Sequence, residues 1–216
     1  MTEPAFDDNF RSRYLSDETP WNIGRVQPVF ERWADAVEGK VLDVGCGTGE
    51  LSFFLAERGH VVLGIDAEAA AIEQAEQRKA KLAEATGSVP SAEFLVHSAA
   101  ELGSLQQHVD TVVDCLLFHC LDDRARVEYA SGLRLTLRPG GKLLLLVFSD
   151  QEPPGNGPRR ISAFDLAKTF ARGFRVTELE AVPIEVRPDD QHLFSDYGPK
   201  GWFAVIERLD DGVITA

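Results

Sequence analysis

The sequence predicts an α/β chain: a mostly parallel sheet with helices on both faces. Three observations predict it. Strand-length apolar segments alternate with helix-length amphipathic ones over residues 40–148. Two of those segments, Val109–Leu117 and Lys142–Phe148, are apolar almost throughout, as strands buried on both faces must be. A glycine-rich turn, Asp43-Val44-Gly45-Cys46-Gly47-Thr48-Gly49, joins the first strand to the first core helix, where open α/β sheets bind ligands.

Taken in order, residues 1–20 are a polar lead-in with helical content. Phe6, Phe10 and Tyr14 recur every four residues and share one helix face. Thr19-Pro20 ends that helix, because a residue before proline is pushed out of the α region. Val29–Val37 is a short amphipathic helix stopped by Gly39. Lys40–Val44 is the first core strand, and Glu50–Arg58 a helix ended by Gly59. Val61–Ile65 is a strand, and Glu68–Ala85 a long Ala-rich helix. Ala92–His97 and Val109–Leu117 are strands, Asp123–Leu137 a helix and Lys142–Phe148 a strand. Asp150–Arg160 is a Pro- and Gly-rich loop. Ser162 caps a helix running to Ala171. Phe174–Val186 and Trp202–Leu209 pair as a C-terminal antiparallel hairpin, not a second domain.

The 216 residues, 44% hydrophobic, support one sizeable core. No apolar run is long enough to cross a bilayer, and the acidic Met1–Asn9 segment is no secretory signal. A net charge of −13 disfavours nucleic acid and anionic membrane as partners. Cys46, Cys115 and Cys120 are odd in number and lack CxxC spacing, which fits a reducing cytoplasm without disulfides or zinc. Asp122 and Asp123 suit a helix N-terminus better than a metal, so no metal is expected.

The turn admits two ligand classes. Dinucleotide sites favour G-x-G-x-x-G, whereas here the spacing is Gly45-x-Gly47-x-Gly49 and the sixth position is Glu50. A carboxylate there would face a pyrophosphate. Asp43 before the turn suits a ligand bearing an ammonium group, and Asp66 at the end of the second strand can accept both hydroxyls of a ribose. A nicotinamide-dependent oxidoreductase is therefore the weaker alternative, beside a noncatalytic cofactor-binding protein.

The segments VLDVGCGTGE at 41–50, GIDAEAAAIEQA at 64–75, FLVHSAAEL at 94–102, VDTVVDCLLFHCLDD at 109–123 and LRPGGKLLLL at 137–146 resemble the class I S-adenosylmethionine-dependent methyltransferases. Glu18-Thr19-Pro20-Trp21-Asn22-Ile23-Gly24-Arg25 is similar to the thiopurine, thiol and halide methyltransferases. FSDQEPPGNGPRR at 148–160 resembles related actinobacterial enzymes, some acting on quinones or phenols. The resemblance implies a Rossmann-like, seven-stranded, mostly parallel sheet in a single methyltransferase domain. Its parts would be an N-terminal cover (1–38), a cofactor core (39–148) and a C-terminal loop, helix and hairpin (149–216). It further implies that Asp43, Gly45, Cys46 and Gly47 surround the methionine and ribose of S-adenosylmethionine. Asp66 would hold the ribose, Ala67, Ser98, Ala99 and Ala100 would flank the adenine, and Cys115 and Leu116 would pass the sulfonium. Trp21 would cover the cofactor, and Tyr14 would reach its carboxylate.

Methyl transfer is an in-line displacement that asks mainly for alignment and exclusion of water. A thiolate needs no base, whereas a phenol benefits from one, and His119 is the candidate. Cys120 reads as a small buried residue, not a nucleophile. Asp114-Cys115-Leu116-Leu117-Phe118 is not the Asn/Asp-Pro-Pro-aromatic motif of nucleobase amino methyltransferases. Phe10, Phe118 and Phe148, with Tyr14 and Trp21, would wall a small, flat, apolar acceptor. Arg159 and Arg160 would meet an anionic group on it. The expected activity is O- or S-methylation of a small molecule.

Overall fold

The computed structural model describes residues 10–16, 18–155, 157–195 and 198–210. Phe6 of the expected N-terminal aromatic face lies outside the described residues.

Seven strands form one sheet in the order β3-β2-β1-β4-β5-β7-β6. They are β1 (Lys40–Val44), β2 (Val61–Asp66), β3 (Ala92–Val96), β4 (Val109–Cys115), β5 (Leu137–Phe148), β6 (Phe174–Pro183) and β7 (Lys200–Arg208). The first five run parallel, and β7 pairs antiparallel with both β5 and β6. The helices are α1 (Phe10–Ser16), α2 (Pro28–Arg32), α3 (Glu50–Glu57), α4 (Ala69–Thr86), α5 (Asp123–Thr136) and α6 (Ala163–Thr169).

The period of two along each strand builds two cores. Leu42, Val44, Leu143, Leu145 and Val147 face α5 and α6, where Tyr129, Leu133, Leu166 and Phe170 close over them. Val41, Leu144, Leu146, Phe148 and Phe203 face α2 and α3, packing with Phe30, Leu51 and Leu55. Burying each such side chain contributes about 1.5–3 kcal/mol. This alternation also places Asp43 on the α3 face.

Of the boundaries that differ from expectation, three have local reasons. The helix expected over Val29–Val37 divides into α2 and a 3₁₀ turn, Ala34–Ala36. The break falls at Trp33, whose Nε1 donates to Glu180 on β6 (2.8 Å). β5 begins at Leu137, so Arg138-Pro139-Gly140-Gly141 lies within the strand as an irregularity in its pairing with β4. β4 stops at Cys115 because Leu116 takes φ +70°, a left-handed conformation costly for any residue but glycine. The buried Asp114 Oδ1 holds this turn, accepting the N–H groups of Leu117 (3.0 Å) and Phe118 (3.2 Å), while Oδ2 accepts Tyr129 O–H (2.9 Å).

Candidate active site

In strand order the chain reverses direction between β1 and β4, the position where open α/β sheets leave a crevice at their carboxyl ends. A cleft of about 1500 Å³ opens there. The glycine turn forms its floor. The N–H groups of Gly45 and Cys46 both donate to the Ile65 carbonyl on β2 (2.8 and 2.9 Å). Gly45 and Gly47 sit at φ +70° and +54°, left-handed conformations that strain any other residue. A Cβ on Gly45 would lie 2.8 Å from Leu117 Cβ, and one on Gly47 3.1 Å from Tyr14 Oη.

Carboxylates ring this floor. Asp43 is 1% exposed and accepts Ser52 O–H from α3 (2.6 Å). Burial pushes its pKa up to about 7; the Ser52 bond opposes this, and the charges of Asp114, Asp66 and Glu50 add to it. Asp66 accepts Gly47 N–H (3.0 Å) through one oxygen and Glu68 N–H (2.9 Å) through the other. Burial raises its pKa, and those two bonds oppose the rise. Glu50, at the start of α3, accepts Thr48 O–H (2.7 Å) and pairs with Arg78. Asn22 donates to Thr48 Oγ1 (2.9 Å). The N-terminal segment is thereby pinned to the glycine turn.

Tyr14 and Trp21 meet edge to face over this end, with ring centroids 6.0 Å apart, and Phe10 packs on Trp21 at 5.6 Å. All three line the cleft. Tyr14 is buried, which raises its hydroxyl pKa well above the ordinary value, an effect to which Asp66 adds. The hydroxyl is therefore a neutral donor at physiological pH.

The other end of the cleft is built from the turn after β4 and the loop after β5. Phe148 stacks on His119 at 4.9 Å and carries the Arg160 guanidinium 5.4 Å from its ring centre. Pro153 and Pro158 carbonyls hold that guanidinium. Arg159 pairs with Asp123 on α5. Glu152 is 2% exposed and accepts Ser195 N–H, Ser195 O–H and Lys200 N–H, closing the post-β5 loop against the start of β7.

The structure gathers most of the residues named from sequence. Tyr14, Trp21, Asp43, Gly45, Cys46, Gly47, Asp66, Ala67, Ser98, Ala99, Cys115 and Leu116 line the cleft, as do Phe10, Phe148, Arg159 and Arg160. Three need correction. Phe118 is fully buried among Tyr129 and Phe170, because the left-handed Leu116 turns it inward and leaves Leu117 and His119 on the cleft. Ala100 stays off the cleft lining; its N–H donates to Ser98 Oγ instead (3.3 Å). His119 is not the expected base. Its Nδ1 accepts the Phe148 N–H (2.9 Å), and burial, reinforced by Arg126 and Arg160, pushes its pKa down to about 3. Sequence reasoning missed Ser52, Asn22 with Thr48, and Glu152, which act through partners far along the chain. Asn22 inside the Thr-Pro-Trp-Asn motif was the one available signal.

Residues 41–141 match a family described as a methyltransferase domain. The chain carries a methyltransferase domain over these residues. That result sets aside the nicotinamide-dependent alternative. The chain is 28% identical over its full length to a 2-heptyl-1-hydroxyquinolin-4(1H)-one methyltransferase of Mycobacteroides abscessus, covering 95% of that protein. It is 28% identical to a probable thiol methyltransferase 2 of Arabidopsis thaliana over 70% of this chain and 66% of that one. A tRNA 5-carboxymethoxyuridine methyltransferase of Escherichia coli is 36% identical over 51% of this chain and 40% of its own length. Among solved structures, a protein studied for converting a disulfide bond into a thioacetal group during echinomycin biosynthesis superposes with a TM-score of 0.76. It is 28% identical, with 93% and 91% of the two chains covered.

Proposed function

We propose that this methyltransferase acts on oxygen or sulfur of a small, flat, largely apolar acceptor. One observation carries the reading: a cleft with an acid-ringed glycine floor at one end and an aromatic compartment at the other. Burial and the charges of Asp114, Asp66 and Glu50 oppose ionisation of Asp43, so a cation at the floor would be favoured. A side chain on Gly45 would collide with Leu117, and both glycines hold left-handed conformations that strain other residues, so backbone meets the ligand there. Both features fit S-adenosylmethionine, which carries a sulfonium and an ammonium group. When bound, it supplies a methyl carbon activated by positive sulfur.

The roles then follow the geometry. Asp43, Gly45, Cys46 and Gly47 surround the methionine and ribose, with the Tyr14 hydroxyl, above Gly47, as the donor to the carboxylate. Asp66 holds the ribose hydroxyls, and Ala67, Ser98 and Ala99 flank the adenine. Cys115 and Leu116 border the sulfonium, and Trp21 and Phe10 exclude water. Phe148 with Arg160 receives the acceptor. The relatives' quinolone and thiol acceptors favour a small molecule, and the net charge of −13 speaks against RNA in spite of the shorter tRNA-enzyme match. Three free cysteines fit a reducing cytoplasm, and among the described residues no helix is long and apolar enough to cross a membrane.

Turnover against thiols, phenols, N-hydroxyquinolones and unmodified tRNA, followed by S-adenosylhomocysteine formation, tests the reading. Methylation of a small acceptor is expected. Methylation of tRNA alone would overturn it.

A further inference from the structure

Among the described residues, each carboxylate at the acceptor end of the cleft already accepts a hydrogen bond. Asp122 caps α5 by accepting Ala125 N–H (2.7 Å), and Asp150 accepts Trp202 Nε1–H (3.1 Å). Glu152 is occupied by Ser195 and Lys200, and Asp114 by Leu117, Phe118 and Tyr129. The Cys120 thiol, pushed up to about 12 by burial, stays protonated.

His119 is fixed in the opposite sense to a base. Because Nδ1 accepts the Phe148 N–H, the neutral ring must carry its proton on Nε2. The ring is 4% exposed and lines the cleft, and Nε2 has no hydrogen-bond partner among the described residues. The charged groups nearest it are Arg126 on α5 and Arg160 in the post-β5 loop, both positive. Arg159 and Arg160 line this end of the cleft beside Asp122, Asp150 and Glu152, and Asp43, Glu50 and Asp66 line it at the glycine turn. The charges that act on the His119 ring itself are positive.

We propose that the acceptor is taken up already ionised, as a thiolate, acidic phenolate or N-oxyanion, and that His119 donates its Nε2–H to the anionic atom. This rests on the methyltransferase reading above. In the step so defined, the anion's lone pair forms the bond to the methyl carbon. The carbon–sulfur bond breaks, its electron pair neutralises the sulfonium, and no proton moves. A neutral phenol or alcohol would have to lose a proton, and His119, already protonated on Nε2, cannot take it. His119 and Arg160 therefore select acceptors by acidity as well as by shape.

The test uses the intact protein with S-adenosylmethionine and a series of para-substituted thiophenols and phenols spanning acidities from well below to well above neutral pH. Profiles of kcat/KM against pH are expected to rise with the ionisation of each free acceptor, so the inflection moves from compound to compound. An inflection fixed across the series would report an enzymic base and overturn the proposal. So would turnover confined to acceptors neutral at the assay pH. Absence of any turnover while S-adenosylhomocysteine still binds would also overturn it. Loss of that binding would instead overturn the methyltransferase reading. His119→Phe, which removes the donor but keeps a ring on Phe148, is expected to lower kcat/KM about ten- to hundredfold without moving the inflection. His119→Gln, which retains a side-chain N–H, is expected to recover part of the loss. ¹⁵N spectra of histidine-labelled protein give an answer independent of variants. They should show His119 neutral and protonated on Nε2 across the working pH range. An imidazolium or an Nδ1–H tautomer would refute the assignment.

Discussion

Replacing Asp43 with Asn is expected to stabilise the ligand-free protein above pH 7 and to weaken its hold on S-adenosylmethionine at the same pH. Asp43 has a folded-state pKa of about 7 against an ordinary 3.8. A rise of about 3 units corresponds to roughly 4 kcal/mol of cost for the ionised form. The folded state holds the proton more tightly than the unfolded chain does. Stability is therefore lost as pH climbs from about 4 through 7, and the full cost is present above 7. Asn cannot ionise, yet its carbonyl oxygen still accepts from Ser52. The gain should thus appear at pH 8 and fade at pH 5. Binding moves the other way. A cationic group within about 6 Å of Asp43, at an effective dielectric near 20, gains about 3 kcal/mol, so its loss weakens affinity about hundredfold. Calorimetry in buffers of different ionisation enthalpy should show wild-type binding releasing a proton near pH 7, and Asp43→Asn releasing less. Urea unfolding at pH 5 and pH 8 supplies the stability arm. Wild-type binding without proton release, together with unchanged affinity in the variant at pH 8, would refute the reasoning.

Other outcomes follow from the same geometry. Asp66→Ala removes the acceptor for both Gly47 and Glu68 N–H groups as well as the proposed ribose contact. S-adenosylhomocysteine affinity should fall at least tenfold by titration, with a stability loss of about 1–3 kcal/mol in urea. Gly45→Ala forces a side chain into the left-handed region 2.8 Å from Leu117 Cβ. Thermal unfolding should register a loss of about 1–2 kcal/mol from backbone conformation alone. Glu152→Ala leaves the Ser195 and Lys200 N–H groups without their acceptor and should raise acceptor KM while leaving S-adenosylhomocysteine affinity unchanged.

The parallel core was legible because its signal is local. Apolar runs at 109–117 and 142–148 are long, and the glycine turn lies between a strand and a helix whose periods differ. Asp43 and Asp66 were legible because strand ends fix where their side chains emerge. The acceptor end was less legible. Whether Phe118 or His119 faces the cleft depends on one residue, Leu116, adopting a left-handed conformation that its own side chain disfavours. The cause is the buried Asp114, which gathers two N–H groups and the Tyr129 hydroxyl from 15 residues away. The protonation of His119 likewise depends on a backbone N–H from β5, 29 residues on. Such pairings are made by the tertiary structure and leave no periodic trace in the sequence.

The central claim is that the acid-ringed glycine floor holds S-adenosylmethionine. Isothermal titration of the purified protein with S-adenosylmethionine tests it most directly. The account predicts saturable one-to-one binding, competed by S-adenosylhomocysteine and reduced by Asp66→Ala. Absence of saturable heat, or binding that Asp66→Ala leaves intact, would contradict it.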